Sequence, residues 1–272
     1  MDQASYGLHK GAEVSFFRII MPNYNNSDWL DKSIGSVLNQ TFTDYHFIFI
    51  DDCSTDDSLV KAQKMMLQNS DIYTSWTKTF DKRWNGGSRN VGIRYNYPLD
   101  ESKYTLFLDS DDWFIDSGVL QRLHDFIEDE EYPDCVRLPY IADFGDGKTI
   151  NMSLSDNSVE QLVNSDIVAC WTKCVKSELV QLFPENTLME DIVQHIAQCD
   201  VIKRVEAFTS PVVVYNRMNA NSLSENGSKN KKWQSSMYRF VADLADLELK
   251  TDICKQNRDK RLENTIKTLK NS

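Results

Sequence analysis

The chain has 272 residues, 41% hydrophobic and 11% aromatic, which excludes a disordered protein and fits one α/β domain with an appended tail. Formal net charge is −11, unevenly spread: from Ser228 onward stand 11 Lys/Arg against 6 Asp/Glu, so the tail carries +5 and the body −16. Six scattered cysteines complete no zinc-ligand spacing and read as reduced buried thiols, and no apolar run is long enough to span a membrane.

In chain order, residues 1–15 read as a loose arm without the apolar stretch of a signal peptide. FFRIIM (16–21) reads as a buried strand ending at Pro22, and WLDKSIGSVLNQ (29–40) has helical spacing of Leu30, Ile34, Val37 and Leu38. HFIFI (46–50) is a second strand stopped by Asp51-Asp52, with Ser54 and Thr55 as N-cap candidates for the helix DDSLVKAQKMMLQ. DIYTSW (71–76) can be a third strand, 88–97 a helix after a Gly-Gly turn, and YTLFL (104–108) a fourth strand. Beyond Trp113 the reading gives a helix at 117–129, a strand in DCVRLPYIADF and a short helix VEQLVN. Helices at 177–182 and 190–198 follow, then strands in VIKRV and PVVVYNR. Helix with one break closes the chain from 231 to 270. Strand and helix alternating at this spacing imply βαβ units and a mostly parallel sheet, whose ligands bind at the carboxyl ends of the strands. The polar segments PNYN, DDCSTDD and DSDD all fall at those ends.

The order of motifs resembles the family 2 glycosyltransferases. IIMPNYNN is similar to the family's Pro-x-Tyr-Asn strand end, and FIFIDDCSTDD to its Asp-Asp-x-Ser-x-Asp. NGGSRNVGI matches the Gly-x-x-Arg-Asn-x-Gly segment, LFLDSDDW the Asp-x-Asp, WTKCVKSEL the Trp-x-Lys stretch and MEDIVQH the Glu-Asp pair. Any one of these is a weak signal; their shared order over about residues 15–220 is a strong one. Departures are Cys53 where the family usually has Gly, Ser88 where Ala is common, and a late segment, YNRMNANSLS, without the His that many members give to a metal.

The resemblance implies the GT-A fold: a Rossmann-like, mostly parallel central sheet flanked by helices, here with a C-terminal helical extension. Its implied boundaries are a glycosyltransferase domain over 16–225 and a basic helical extension over 226–272. Within the domain, 16–114 would bind the nucleotide sugar and 115–225 the acceptor. The implied activity is inverting transfer of a sugar from a nucleotide diphosphate sugar, UDP-linked, with Mn2+ or Mg2+ as cofactor.

Hard divalent cations take one or two carboxylates plus substrate phosphates. On the resemblance Asp111 holds the metal, and Asp109 assists through ribose or water. Asp112 either joins them or starts a helix. Ser110 lies between them. Pro22, Asn23, Tyr24 and Asn25 would line the donor site, with the Tyr24 ring against uracil. One of Asp51 and Asp52 would accept from base or ribose while the other caps a helix. In the glycine turn, Gly87 lets backbone approach the donor, Arg89 meets base or diphosphate, and Asn90 follows. Asp191, beside Glu190, is implied to be the base that takes the acceptor's proton. Trp171 and Lys173 would border sugar and diphosphate unless the Trp is core, and Arg217 and Ser222 would reach the diphosphate from a late loop. His195 reads as structural.

The resemblance implies as acceptor a surface glycan or lipid-linked oligosaccharide made at the cytoplasmic membrane face, where the basic extension could dock peripherally on anionic lipid. The alternative is hydroxymethylated DNA, along whose phosphates the same extension could run. A nucleotidyltransferase would carry a Gly-rich basic loop after the first strand, which PNYNNSDW is not. A non-catalytic sugar-binding module has no use for Asp109, Asp111 and Asp191 together.

Overall fold

A computed structural model describes residues 15–69, 71–95, 102–154, 157–185, 187, 189–220 and 231–271. The chain forms, in order, β1 (Phe17–Asn23), α1 (Leu30–Leu38), β2 (Tyr45–Asp51), α2 (Ser58–Leu67), β3 (Tyr73–Lys78), α3 (Trp84–Arg94), β4 (Tyr104–Phe107) and β5 (Trp113–Phe114). The second half adds α4 (Val119–Asp129), β6 (Cys135–Arg137), β7 (Tyr140–Asp143), β8 (Thr149–Met152), α5 (Val159–Asn164), β9 (Lys173–Lys176), α6 (Glu190–Cys199), β10 (Val205–Ala207) and β11 (Val213–Asn216). Among the described residues two helices follow, α7 (Lys231–Ala245) and α8 (Asp252–Asn271).

The central sheet has seven strands in the order β10-β6-β9-β4-β1-β2-β3. Only β9 runs against its neighbours, β4 and β6. Buried on both faces, β1 and β2 are apolar almost throughout, as strands sandwiched between helices must be. Their register sets Asn23 opposite Asp51, so the polar ends of both strands emerge level. Because the chain runs outward from β1 to β3 and then returns to β4 beside β1, the crossover direction reverses between β1 and β4. Right-handed crossovers then put α1 and α2 on one face and α3 on the other. Such a reversal opens a crevice at the carboxyl ends, the usual binding place in open α/β sheets.

A second sheet, β5-β11-β7-β8, sits beside this crevice. Pro139 divides DCVRLPYIADF into β6 and β7, one strand for each sheet. The central sheet therefore takes β6, β9 and β10 from beyond residue 114 and does not stop at the expected boundary between halves. α7 and α8 bury Met237, Phe240, Leu244 and Cys254 in a cluster with Leu162, Val163, Val193 and Ile196 of α5 and α6. Arg261 donates to Ser165 O at 3.2 Å and Arg258 to Leu247 O at 3.0 Å, so part of the tail's positive charge is turned inward. Among the described residues no helix is long and apolar enough to cross a membrane.

Several local expectations change. β1 continues through Pro22 to Asn23. α3 starts four residues before Ser88, so Gly86 and Gly87 lie inside the helix and not in a turn before it. A Cβ on Gly86 would stand 2.4 Å from Pro184 O and 3.3 Å from Glu190 Cβ, and this close approach lets α3 meet the segment leading into α6. Ser177–Leu179 is a single 3-10 turn, and the strand near VIKRV is shifted to Val205–Ala207. Ser54 does not cap α2, whose N-cap is Asp57, because its hydroxyl accepts from Asn23 Nδ2 and Asn25 N at 3.1 and 3.0 Å. Residues 1–14 and 226–230, parts of the expected arm and extension, lie outside the described residues.

Candidate active site

The ends of β1 and β2 are tied to each other by their own polar side chains. Asn23 Nδ2 donates to Asp51 Oδ1 at 3.1 Å, and Ser54 N donates to Asp51 Oδ2 at 3.1 Å. Asn25, in left-handed conformation at φ 52°, accepts from Thr55 N through Oδ1 at 2.8 Å. Cys53 has φ 62°, the region where glycine is least strained, which accounts physically for the glycine that the resemblance leads one to expect there. Asp52 caps α3 across the sheet edge, taking Arg83 N at 2.7 Å, Trp84 N at 2.8 Å and the Thr79 hydroxyl at 2.9 Å. Both acids of this pair are thus buried and hydrogen-bonded, and the helix that one of them caps is α3, not α2.

Tyr24 is exposed at the rim, with Lys82 Nζ 3.2 Å from its ring centroid. The ring's face is thus occupied by that ammonium.

Beyond β4 the three aspartates separate into three environments. Asp109 accepts from Arg89 Nη2 at 2.7 Å. Asp112 is buried and accepts from Asn216 N at 2.8 Å; it pins β11 and starts no helix, since α4 begins at Val119. Asp111 accepts from Asn219 Nδ2 at 2.7 Å, and among the described residues it has no ion-pair partner. Burial, together with the charge of Asp109, pushes the Asp111 carboxyl up to about 6.

Arg89 is the hub. Its guanidinium is 1% exposed and reaches Asp109, Glu190 at 2.8 Å and Asp191 at 3.6 Å. The β4 end and the start of α6 are therefore joined through one buried cation, and Arg89 is committed to acids instead of standing open to a base or diphosphate. Burial, with Asp191 adjacent, raises the Glu190 carboxyl while Arg89 opposes the rise. Asp191 keeps 28% of its side chain exposed, four times the 7% of Glu190, which leaves Asp191 the acid facing outward.

Other expected contacts are spent internally. Asn90 donates to Phe183 O and accepts from Phe183 N, both at 2.9 Å. A Cβ on Gly87 would meet Arg83 Cβ at 2.7 Å, so its small size serves helix packing. Trp171 is buried, edge-on to Tyr140 at 4.8 Å. The Lys173 ammonium donates to Val168 O and Ala169 O at 2.8 and 2.9 Å, and burial lowers it to about 8. Arg217 donates to the Tyr215 hydroxyl at 2.9 Å. Ser110 accepts from Asn26 Nδ2 at 2.8 Å. Ser222 lies outside the described residues. Asn26, Asn219 and Lys82 were not expected; the basic pair Lys82-Arg83 just ahead of the glycines was a signal for the last, and nothing local marks the two asparagines.

The family model for glycosyl transferase family 2 matches residues 18–174. The chain belongs to glycosyl transferase family 2. Among its relatives is the minor teichoic acid biosynthesis protein GgaB of Bacillus subtilis, 25% identical over 251 residues, covering 85% of this chain and 26% of GgaB. TarS of Staphylococcus aureus, named a poly(ribitol-phosphate) beta-N-acetylglucosaminyltransferase, is 29% identical over 178 residues, covering 62% of this chain and 30% of TarS. The chain thus spans about a quarter to a third of the length of these family 2 relatives. A crystal structure of TarS residues 1–349 with UDP-GlcNAc superposes at TM-score 0.69 and 19% identity, over 92% of this chain and 71% of that one. A mannosyltransferase from Pyrobaculum calidifontis with GDP-Man and Mn2+ gives 0.64 at 13% identity, over 92% and 70%. These two likenesses establish the fold: the GT-A architecture, with its mostly parallel sheet flanked by helices.

The donor set suits a hard divalent cation. Among the described residues Asp111 is a carboxylate with no cationic side chain paired to it, next to a second carboxylate, and Mg2+ and Mn2+ are commonly held by one or two carboxylates plus phosphate oxygens. Among the described residues no three His, Cys, Asp or Glu side chains converge, so the remaining ligands would come from substrate or from neutral oxygens.

Proposed function

We propose that this family 2 member transfers a sugar from a UDP-sugar, with inversion, to a hydroxyl of an anionic surface glycopolymer of the teichoic acid type. The observation that carries this reading is the Arg89 hub, which joins the Asp109–Asp111 strand end to Glu190 and Asp191 across one crevice. Donor and acceptor chemistry need those two groups of acids within one site.

In this reading the uracil ring lies on Tyr24 once Lys82 has moved off, and the diphosphate follows the β1–β4 crevice. Asp111, with Asp109, would hold Mn2+ or Mg2+, which when bound would neutralise the charge growing on the departing UDP. Asp191 accepts the proton of the acceptor hydroxyl as that oxygen bonds to the anomeric carbon and the bond to UDP breaks. Arg89 Nη1 lies 3.6 Å from Asp191 Oδ1 and helps to hold the carboxylate in place. Glu190 fixes Arg89 and is a positioning residue. UDP-GlcNAc carries its sugar α-linked, so a β-linked product of the kind in the TarS name corresponds to inversion.

An anionic acceptor suits the positive balance of the C-terminal segment, whose Lys260 and Lys267 are exposed. The test is a panel of UDP-sugars scored for Mn2+-dependent UDP release, with poly(ribitol-phosphate), lipid-linked oligosaccharide and hydroxymethylated DNA as acceptors. The expected result is metal-dependent release that poly(ribitol-phosphate) accelerates and that Asp111→Ala abolishes. Release indifferent to metal and to Asp111, or none from any UDP-sugar, would overturn it.

A further inference from the structure

Three neutral side chains converge behind Asp111. Asn219, after β11, donates through Nδ2 to Asp111 Oδ2 at 2.7 Å, and the same Nδ2 lies 3.2 Å from Asn26 Oδ1. Asn26, after β1, passes its own Nδ2 to Ser110 Oγ at 2.8 Å. Asn219 and Ser110 are buried. A carboxylate with no cation can only accept, so it fixes the direction of the whole chain: Asn219 donates, Asn26 donates onward, and Ser110 accepts.

Every link in this chain is reversible. Amide oxygen and nitrogen occupy nearly equivalent positions, so a half-turn of the amide exchanges them. A serine hydroxyl donates as well as it accepts. With a cation on Asp111, an N–H pointing at it is repelled and an oxygen is attracted.

We propose that Asn219 supplies a carbonyl oxygen to the divalent cation held by Asp111, and that Asn26 and Ser110 form the relay that reverses to let it do so. The inference rests on the metal-dependent reading above. In the reversed state Asn219 Oδ1 faces the cation, Asn26 Nδ2 donates to that same oxygen across the 3.2 Å spacing, and the Ser110 hydroxyl donates to Asn26 Oδ1 across the 2.8 Å spacing. Amide carbonyls are ordinary ligands of hard cations, and the resulting set is all oxygen, which suits Mg2+ and Mn2+ over softer metals. A donor-only Asn219 would explain the bond to Asp111 but gives no reason for a second, reversible amide and a buried hydroxyl behind it.

The experiment is electron–nuclear double resonance on Mn2+ bound in the presence of UDP to protein labelled with 13C at the asparagine carboxamide carbon. The expected spectrum shows a 13C coupling from a directly bound carbonyl. That coupling disappears in Asn219→Asp, which keeps an oxygen but carries no label, while Mn2+ stays bound. In Asn219→Leu, Mn2+ affinity measured from the free-ion signal falls about tenfold or more, the effect typical of losing a ligand's support. Mn2+ that binds with UDP and is lost in Asp111→Ala, yet gives no asparagine coupling or keeps it in Asn219→Asp, overturns the relay alone. Absence of any Mn2+ binding with UDP overturns the metal-dependent reading, and the relay with it.

Discussion

Replacing Arg89 with methionine removes the charge at the centre of the site while leaving a side chain of similar length to fill the space. The guanidinium is 1% exposed and sits 2.7 Å from Asp109 and 2.8 Å from Glu190. Asp109 can turn to solvent, since 27% of its side chain is exposed, but Glu190 is left as a buried carboxylate without a cation. Breaking a buried pair from one side costs about 3–5 kcal/mol, chiefly through the stranded charge. For a chain of this size that corresponds to a fall in Tm of roughly 6–20 °C. The deficit depends on pH in a defined direction. Burial already raises the Glu190 carboxyl, and losing Arg89 raises it further, so protonation relieves the variant at low pH. Urea unfolding at pH 5 and pH 8 therefore gives a smaller wild-type-minus-variant difference at pH 5. Adding Glu190→Gln to Arg89→Met restores part of the loss, the coupling expected of contacting residues. A deficit below about 1 kcal/mol at pH 8, or one that grows on acidification, would refute this assignment of Arg89 as the structural counter-ion.

Mn2+ competes with a proton at Asp111, whose carboxyl is raised to about 6, so affinity for Mn2+ in the presence of UDP climbs through that pH and levels off above it; a flat profile contradicts the ligand assignment. A raised carboxyl favours the fold below the unfolded value and disfavours it as pH rises through the folded one. Asp111→Asn therefore stabilises the metal-free protein at pH 8, by about 1–3 kcal/mol in thermal or urea unfolding, and leaves it nearly unchanged at pH 4. Gly86→Ala drives a methyl against Pro184 O, 2.4 Å from the Cβ position, and is expected to cost about 1–3 kcal/mol and to lower UDP release by displacing Arg89 from Glu190. Gly35→Ala, whose nearest neighbour is Asn39 Nδ2 at 4.0 Å in the interior of α1, is the control and should be stabilising by about 0.5–1 kcal/mol in the same unfolding assay.

The strands β1, β2 and β4 were legible because a strand buried on both faces reads as an unbroken apolar run, and the acids that stop it mark the sheet edge. β9 was not, since KCVK begins and ends in lysine; the burial of Lys173 depends on backbone carbonyls at 168 and 169 that no pattern announces. The partner of the acidic cluster was also hidden. Asp109 finds its cation in Arg89, twenty residues upstream, and Glu190 finds the same one across 101 residues. Sequence proximity shows which charges crowd together but not which distant group answers them. The Asp51-Asp52 pair illustrates the same limit: one of the two reads as a helix cap, but only the fold shows that it is Asp52 and that the helix is α3. Asn26 and Asn219, 193 residues apart, meet although one follows β1 of the central sheet and the other β11 of the second.

In the proposed reaction Asp191 takes the acceptor's proton in a site that binds UDP independently of it. Transfer from UDP-GlcNAc to poly(ribitol-phosphate), measured beside UDP affinity for wild type and Asp191→Asn, tests this directly. The expected result is UDP affinity close to wild type with transfer reduced about a hundred- to ten-thousand-fold, the usual contribution of a general base. Turnover retained in Asp191→Asn, with UDP still bound, would contradict it.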